Sequence, residues 1–141
     1  MLENKALLRL VLGCSVCLSN GLVRVMTRIL SVSYDQALLS SRQLLLESLG
    51  CQVVSVSDFR NALQLCNHGS RFDLFVLGHS IPGHEKQALV DAFRARCSAP
   101  IVALKRTGEE PTSAADFEIE PEPSQLLQVI SSLLNGHAAS A

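Results

Sequence analysis

The stretch FDLFVLGHSIPGHEK, residues 72–86, decides how this chain is read. It opens on the most apolar run in the chain, 72–77, which reads as a central strand of a parallel sheet, buried on both faces. It then breaks into a loop at Gly78 and, past Pro82–Gly83, enters an amphipathic segment. In doubly wound α/β proteins such a strand commonly delivers a reactive side chain at its carboxyl end. Here that position is Gly78, which has no side chain.

Working outward, strand and helix signals alternate. RILSV, 28–32, is a short apolar strand. Residues 36–49 follow helical spacing, with Leu38, Leu45 and Leu49 on one face, Arg42 and Glu47 on the outer side and Gly50 as the stop. CQVVSV, 51–56, is a β-branched strand; Ser57 or Asp58 can cap a helix in which Phe59, Ala62 or Leu63, and Cys66 share a face. Residues 85–97 place Leu89, Ala92 and Phe93 inward and Arg94 and Arg96 outward. APIVAL, 99–104, gives a fourth strand and DFEI, 116–119, a short fifth. Pro123 starts a last helix, 123–135, with Leu126, Leu127, Ile130, Leu133 and Leu134 apolar; Gly136 is expected to end it, leaving 136–141 as a disordered tail.

Five strands alternating with helices imply a doubly wound, five-stranded parallel α/β sheet covered on both faces. The common small solution is the flavodoxin-like strand order 2-1-3-4-5, with its site at the carboxyl ends of the strands. That edge comprises 33–36, 78–84, 105–108 and 120–121. Only RTGEEPTSAA, 106–115, separates the fourth and fifth strands. A crossover normally needs a dozen residues or more, and Gly108 and Pro111 disfavour even one helical turn, so the fourth helix is expected to be shortened or missing.

Composition bounds the remaining questions. The length of 141 residues suits one domain with a real core. A hydrophobic content of 48% excludes a disordered chain, and a net charge of −1 without a basic patch gives no push toward nucleic acid. With no Trp and only 4% aromatics, stacking platforms for bases are not expected. Of the five cysteines, Cys51, Cys66 and Cys97 read as small core hydrophobes; Cys14 and Cys17 form a C-x-x-C without the second ligand pair that a metal site needs. Residues 1–25 differ in character from the rest of the chain: Lys5 and Arg9 precede an apolar run, as in a short signal peptide, and VLGC resembles a lipoprotein processing site at Cys14. The run is too short to span a bilayer. The favoured reading is an extension outside the core, upstream of a second start-like residue, Met26, with the protein cytoplasmic; an exported lipoprotein is the alternative.

Residues 26–135 resemble the receiver (CheY-like) domain of bacterial two-component response regulators, through RILSVSYDQ, LLSSRQLLLESLG, FDLFVLGHSIPG, APIVALK and DFEIEPEP in that order and spacing. The resemblance implies phosphoryl transfer from a histidine kinase to an Asp at the end of strand three. Two acids after strand one would help hold Mg²⁺, the metal and a Lys after strand five would neutralise the charge on the phosphoryl oxygens, and a Ser or Thr at the end of strand four would transmit the change. Mapped here, the acidic pair falls on Ser33 and Tyr34, with Asp35 one place late; the acceptor falls on Gly78, the hydroxyl on Lys105 and the Lys on Glu120. A glycine cannot form an acyl phosphate. The resemblance is therefore to a degenerate pseudo-receiver, with no catalytic residue, no cofactor and Mg²⁺ binding lost or weak.

The expected function is a stand-alone, non-enzymatic signalling module. It would bind a protein partner, a histidine kinase or another signalling protein, without aspartyl phosphorylation. No output domain succeeds the receiver-like region in this sequence, so action in trans is expected. One alternative is a phosphorelay receiver with its acceptor moved to Asp35 or His79. Another is a small α/β enzyme or ligand binder using the emptied edge, where Ser33, Asp35, His79 and Lys105 supply the polar groups. Lys105 and Glu120, on neighbouring strand ends, either pair across that edge or stand as two independent surface charges.

Overall fold

The computed structural model describes residues 16–19, 22–67, 71–112 and 114–140. An antiparallel hairpin, β1 (Val16–Ser19) and β2 (Leu22–Val25), forms a two-stranded sheet of its own. It precedes β3 (Arg28–Val32), α1 (Gln36–Glu47), β4 (Gln52–Val56), α2 (Phe59–Asn67), β5 (Leu74–Leu77), α3 (Gly83–Arg96), β6 (Ile101–Leu104), β7 (Phe117–Ile119) and α4 (Pro123–Ser140). Residues 1–15, including Cys14 and most of the signal-like run, lie outside the described residues.

The main sheet is parallel throughout, in the order β4-β3-β5-β6-β7. Counted from β3 as first strand, this is the expected 2-1-3-4-5. β5, the strand inside FDLFVLG, is the middle strand, and all of its residues are buried. On one face Leu30, Val32, Phe75 and Leu77 pack against α2 and α3 through Ala62, Leu89, Val90 and Phe93, with Phe75 stacked on Phe93 at 4.1 Å. On the other, Ile29, Val76, Val102 and Leu104 meet Leu46 of α1 and Leu126 and Ile130 of α4. Apolar residues on both sides of each inner strand explain the continuous rather than alternating apolar runs.

Local signals behave as capping rules require. Asp35 Oδ1 accepts the Leu38 N–H at 3.1 Å at the head of α1, and Asp58 Oδ1 accepts the Asn61 N–H at 2.8 Å at the head of α2. After α1, Gly50 takes a left-handed φ of 85° and its N–H bonds the Glu47 carbonyl. Between β6 and β7 no described residue is helical, so the fourth crossover is a loop.

Three expectations need correction. The inward stripe of α1 is Leu39, Arg42 and Leu46, not Leu38, Leu45 and Leu49, which are only half-buried. Arg42 therefore points in, not out. In α3 the stripe includes Lys86 beside Leu89, Val90 and Phe93, and Arg94 is half-buried against the crossover loop rather than free. Finally, α4 does not stop at Gly136 but runs to Ser140, so 136–140 is no disordered tail. A glycine within a helix costs only about 1 kcal/mol, and Ala138 and Ala139 are strong helix formers that carry the helix on. Among the described residues no helix is long and apolar enough to cross a membrane.

Candidate functional site

The parallel register brings the carboxyl ends of the strands to one edge. Val32 lies opposite both Val56 and Leu77, Leu77 opposite Ala103, and Leu104 opposite Ile119. The ladder runs one residue further: Ser33 N–H bonds the Val56 carbonyl at 3.1 Å, Gly78 N–H the Val32 carbonyl at 2.8 Å, and Lys105 N–H the Ile119 carbonyl at 2.9 Å. Ser33, Gly78 and Lys105 thus stand at adjoining strand ends, as expected.

What fills the edge was not legible. The guanidinium of Arg42, reaching in from α1, occupies the space above Gly78. A Cβ on Gly78 would lie 3.1 Å from Arg42 Nη1, 3.1 Å from Ser33 Cβ and 3.1 Å from the Val32 carbonyl oxygen. Glycine is needed here for close approach, not for an unusual backbone angle. Arg42 is 7% exposed, and its Nη1 is buried with no hydrogen-bond partner among the described residues. Burial lowers its pKa, partly offset by the charge of Asp35, which forms no ion pair with it.

Around this cation the polar groups tie to one another. Ser33 Oγ and Ser80 Oγ lie 3.0 Å apart, and Ser80 Oγ accepts the Tyr34 N–H at 3.0 Å. These contacts fasten the loop after β5 to the loop after β3. The Tyr34 hydroxyl donates to Glu85; burial first, then this hydrogen bond and the Glu85 charge, raise its pKa and keep it protonated. Asp35 is committed to capping α1. His79 is half-buried with its Nδ1 unpartnered. Burial lowers its pKa, as do the nearby charges of Arg106, Arg42 and Lys86, against the opposing Glu109.

Lys105 and Glu120 do not pair. Lys105 Nζ donates to the Glu109 carbonyl at 3.1 Å, and Glu120 accepts from the Thr107 hydroxyl at 3.1 Å. The ion pair at this edge is a different one. Lys86, fully buried, donates through Nζ to Glu109 at 2.8 Å and to the Leu104 carbonyl at 2.9 Å. Burial would raise the Glu109 carboxyl, but the Lys86 contact and the Arg106 N–H and charge outweigh it and hold the group below the usual carboxylate range. Glu109 thereby anchors the loop that replaces the crossover helix. The loop's far end is held by Arg94, which binds the Ala114 and Ala99 carbonyls and the Asp116 carboxylate.

Neither a protein-family model nor a curated protein matches the chain. Solved structures do. The N-terminal domain of a response regulator/sensory box/GGDEF protein from Carboxydothermus hydrogenoformans superposes with a TM-score of 0.70 at 16% identity, over 81% of this chain and 98% of that one. A CheY-like receiver domain from Methylobacillus flagellatus gives 0.64 at 25% identity, over 76% and 98%. The chain has the receiver fold. A third receiver-type structure, a response regulator from Thermotoga maritima in complex with Mg²⁺ and BeF, gives 0.68 at 21% identity, over 77% of this chain and 99% of that one.

The residues at this chain's receiver edge do not fit Mg²⁺. That ion wants a near-octahedral set of hard oxygens, usually with carboxylates. Here Ser33 and Gly78 stand beside a guanidinium, the Tyr34 hydroxyl is turned to Glu85, and Asp35 is turned to a helix terminus. Among the described residues no three His, Cys, Asp or Glu side chains gather as a metal set.

Arg42, Lys86 and Glu109 were missed from sequence. A signal existed for two of them. Arg42 falls midway between Leu39 and Leu46, and Lys86 is three, four and seven residues before Leu89, Val90 and Phe93. Both hold core phase on their helices. Their charge argues instead for the solvent side.

Proposed function

We propose that this chain is a signalling module of receiver fold that works by protein–protein contact, independently of aspartyl phosphorylation. The observation that carries the reading is Arg42 Nη1, seated 3.1 Å from where a Cβ on Gly78 would begin. A cation takes the place beside which an acceptor carboxylate would stand, and the neighbouring hydroxyls are closed on one another through Ser33 and Ser80. The strand edge is thus a fixed support for the surface rather than a reaction site. The partner is a signalling protein, and the α1 exterior offers the contact: Leu44 is 70% exposed there, next to Glu47, which also faces solvent.

The test is incubation with acetyl phosphate and Mg²⁺, read by intact mass. No stable phosphate adduct is expected. A stoichiometric adduct would overturn the reading, and its loss in Asp35→Asn or His79→Gln would place a relocated acceptor.

A further inference from the structure

We infer that the space between α1 and α4 is a binding site for a small organic carboxylate with an apolar body. A cavity of about 300 Å³ opens there, at the low end of the range usual for ligand sites. Leu45, Leu104 and Leu126 make most of its wall apolar, and four polar residues, Ser41, Arg42, His79 and Glu122, stand among them; Arg42 and His79 are the two of these that are not exposed. Both carry a buried nitrogen, Nη1 and Nδ1 respectively, that has no hydrogen-bond partner among the described residues.

A buried guanidinium left without an acceptor is rare, because the desolvation of its N–H groups goes uncompensated. The planar fork of Arg matches the two oxygens of a carboxylate. Asp35 is committed to the head of α1 and makes no ion pair with Arg42. Glu109 is held by Lys86. Glu122, the one carboxylate on the cavity wall, is exposed, where it keeps its own hydration. Among the described residues the charge inside is therefore unanswered. The apolar wall selects against a bare inorganic anion, which could not repay the loss of its water there. A carboxylate head against Arg42, with its alkyl or aryl body along the leucines, satisfies both parts of the lining. Such binding does not depend on how the protein signals, and its test does not involve phosphorylation.

The experiment titrates the full chain with hexanoate, 1-hexanol and inorganic phosphate, following backbone amide NMR shifts. Hexanoate is expected to saturate, to move amides of 38–45 and 121–126, and to bind at least tenfold more tightly than 1-hexanol. Phosphate is expected to leave those amides unmoved. Arg42→Met should bring hexanoate down to the level of 1-hexanol while leaving 1-hexanol within twofold. Leu45→Trp, which fills the cavity, should abolish both. Equal affinity for hexanoate and 1-hexanol overturns the inference, as does tighter binding of phosphate, hexanoate binding that stays above the 1-hexanol level in Arg42→Met, or hexanoate binding that survives Leu45→Trp. If Arg42→Met fails to fold by circular dichroism, the wild-type ratio and Leu45→Trp decide alone.

Discussion

Two buried cations face each other across the carboxyl edge of the sheet, and the chain treats them oppositely. Lys86, on the α3 side, is fully enclosed and answered by Glu109 and the Leu104 carbonyl. Arg42, on the α1 side, is almost as deeply buried and has no ion-pair partner among the described residues. Breaking a buried pair strands a charge, whereas removing a charge that was never paired relieves one. Lys86 thus belongs to the architecture, as the peg that holds a loop where a helix is missing. Arg42 is a cost that the architecture carries, and such costs gather at functional sites.

The largest effect should come from breaking the satisfied side. Glu109→Ala leaves the Lys86 ammonium enclosed with only a carbonyl. Because Glu109 itself is partly open to water, the destabilisation should be about 2–3 kcal/mol, below the full value for a completely buried pair. Lys86→Met should cost less, about 1 kcal/mol, since the stranded carboxylate can return to solvent. Denaturant unfolding of both variants checks the order; a reversal would mean that the loop, not the charge, dominates.

Arg42→Met should go the other way. It swaps an unsatisfied guanidinium for an apolar chain of similar reach and should stabilise by about 1–2 kcal/mol. A loss of stability would mean that the guanidinium has a partner in solution. Gly78→Ala, which crowds Arg42 and the Val32 carbonyl, should cost about 1 kcal/mol in the wild type. In an Arg42→Met background the cost should fall, though not vanish, because the backbone contact remains.

The pH response separates the two sides as well. His79 has a lowered pKa, so as pH falls below the unfolded value of about 6.5 the unfolded chain takes up a proton first and stability drops. Glu109 also sits below its ordinary pKa. Its contribution is full above the unfolded value of about 4.3 and is lost as pH falls through the lower, folded one. Acid unfolding should therefore begin near neutrality on account of His79 and steepen in the carboxylate range on account of Glu109. His79→Gln should flatten the first part and leave the second.

The features legible in the sequence are those whose physics is local. Strand order, the central place of 72–77, the caps at Asp35 and Asp58, the stop at Gly50 and the missing crossover helix all rest on periodicity, on turn chemistry or on the resemblance, and the structure has each of them. The edge residues Ser33, Gly78 and Lys105 fell into line because a parallel ladder fixes its strand ends. The interior of the site was not legible. Arg42 and Lys86 hold core phase, but their charge argues for the surface, and only tertiary packing decides between the two. The phase of α1 slipped by one residue because its leucines at 38, 39, 44, 45, 46 and 49 cover more than one face, so apolar spacing alone could not choose.

The smallest effect concerns Lys105 and Glu120, the pair that their positions suggested. Adjoining strand ends and opposite charge were the whole case for it. In the structure each is taken up by a nearer partner in the loop, Lys105 by the Glu109 carbonyl and Glu120 by the Thr107 hydroxyl. Proximity of backbones did not bring the side chains together, because the loop that replaces the helix turns its own polar groups back onto the edge. Lys105→Ala and Glu120→Ala should therefore add independently in denaturant unfolding. Their coupling should stay within about 0.3 kcal/mol, the scatter of non-interacting sites. A coupling near 1 kcal/mol would restore the direct pair and would mean that the loop lies away from the edge in solution. In that case the peg formed by Lys86 and Glu109 would have to be weaker than its burial implies, and the Glu109→Ala result would shrink with it.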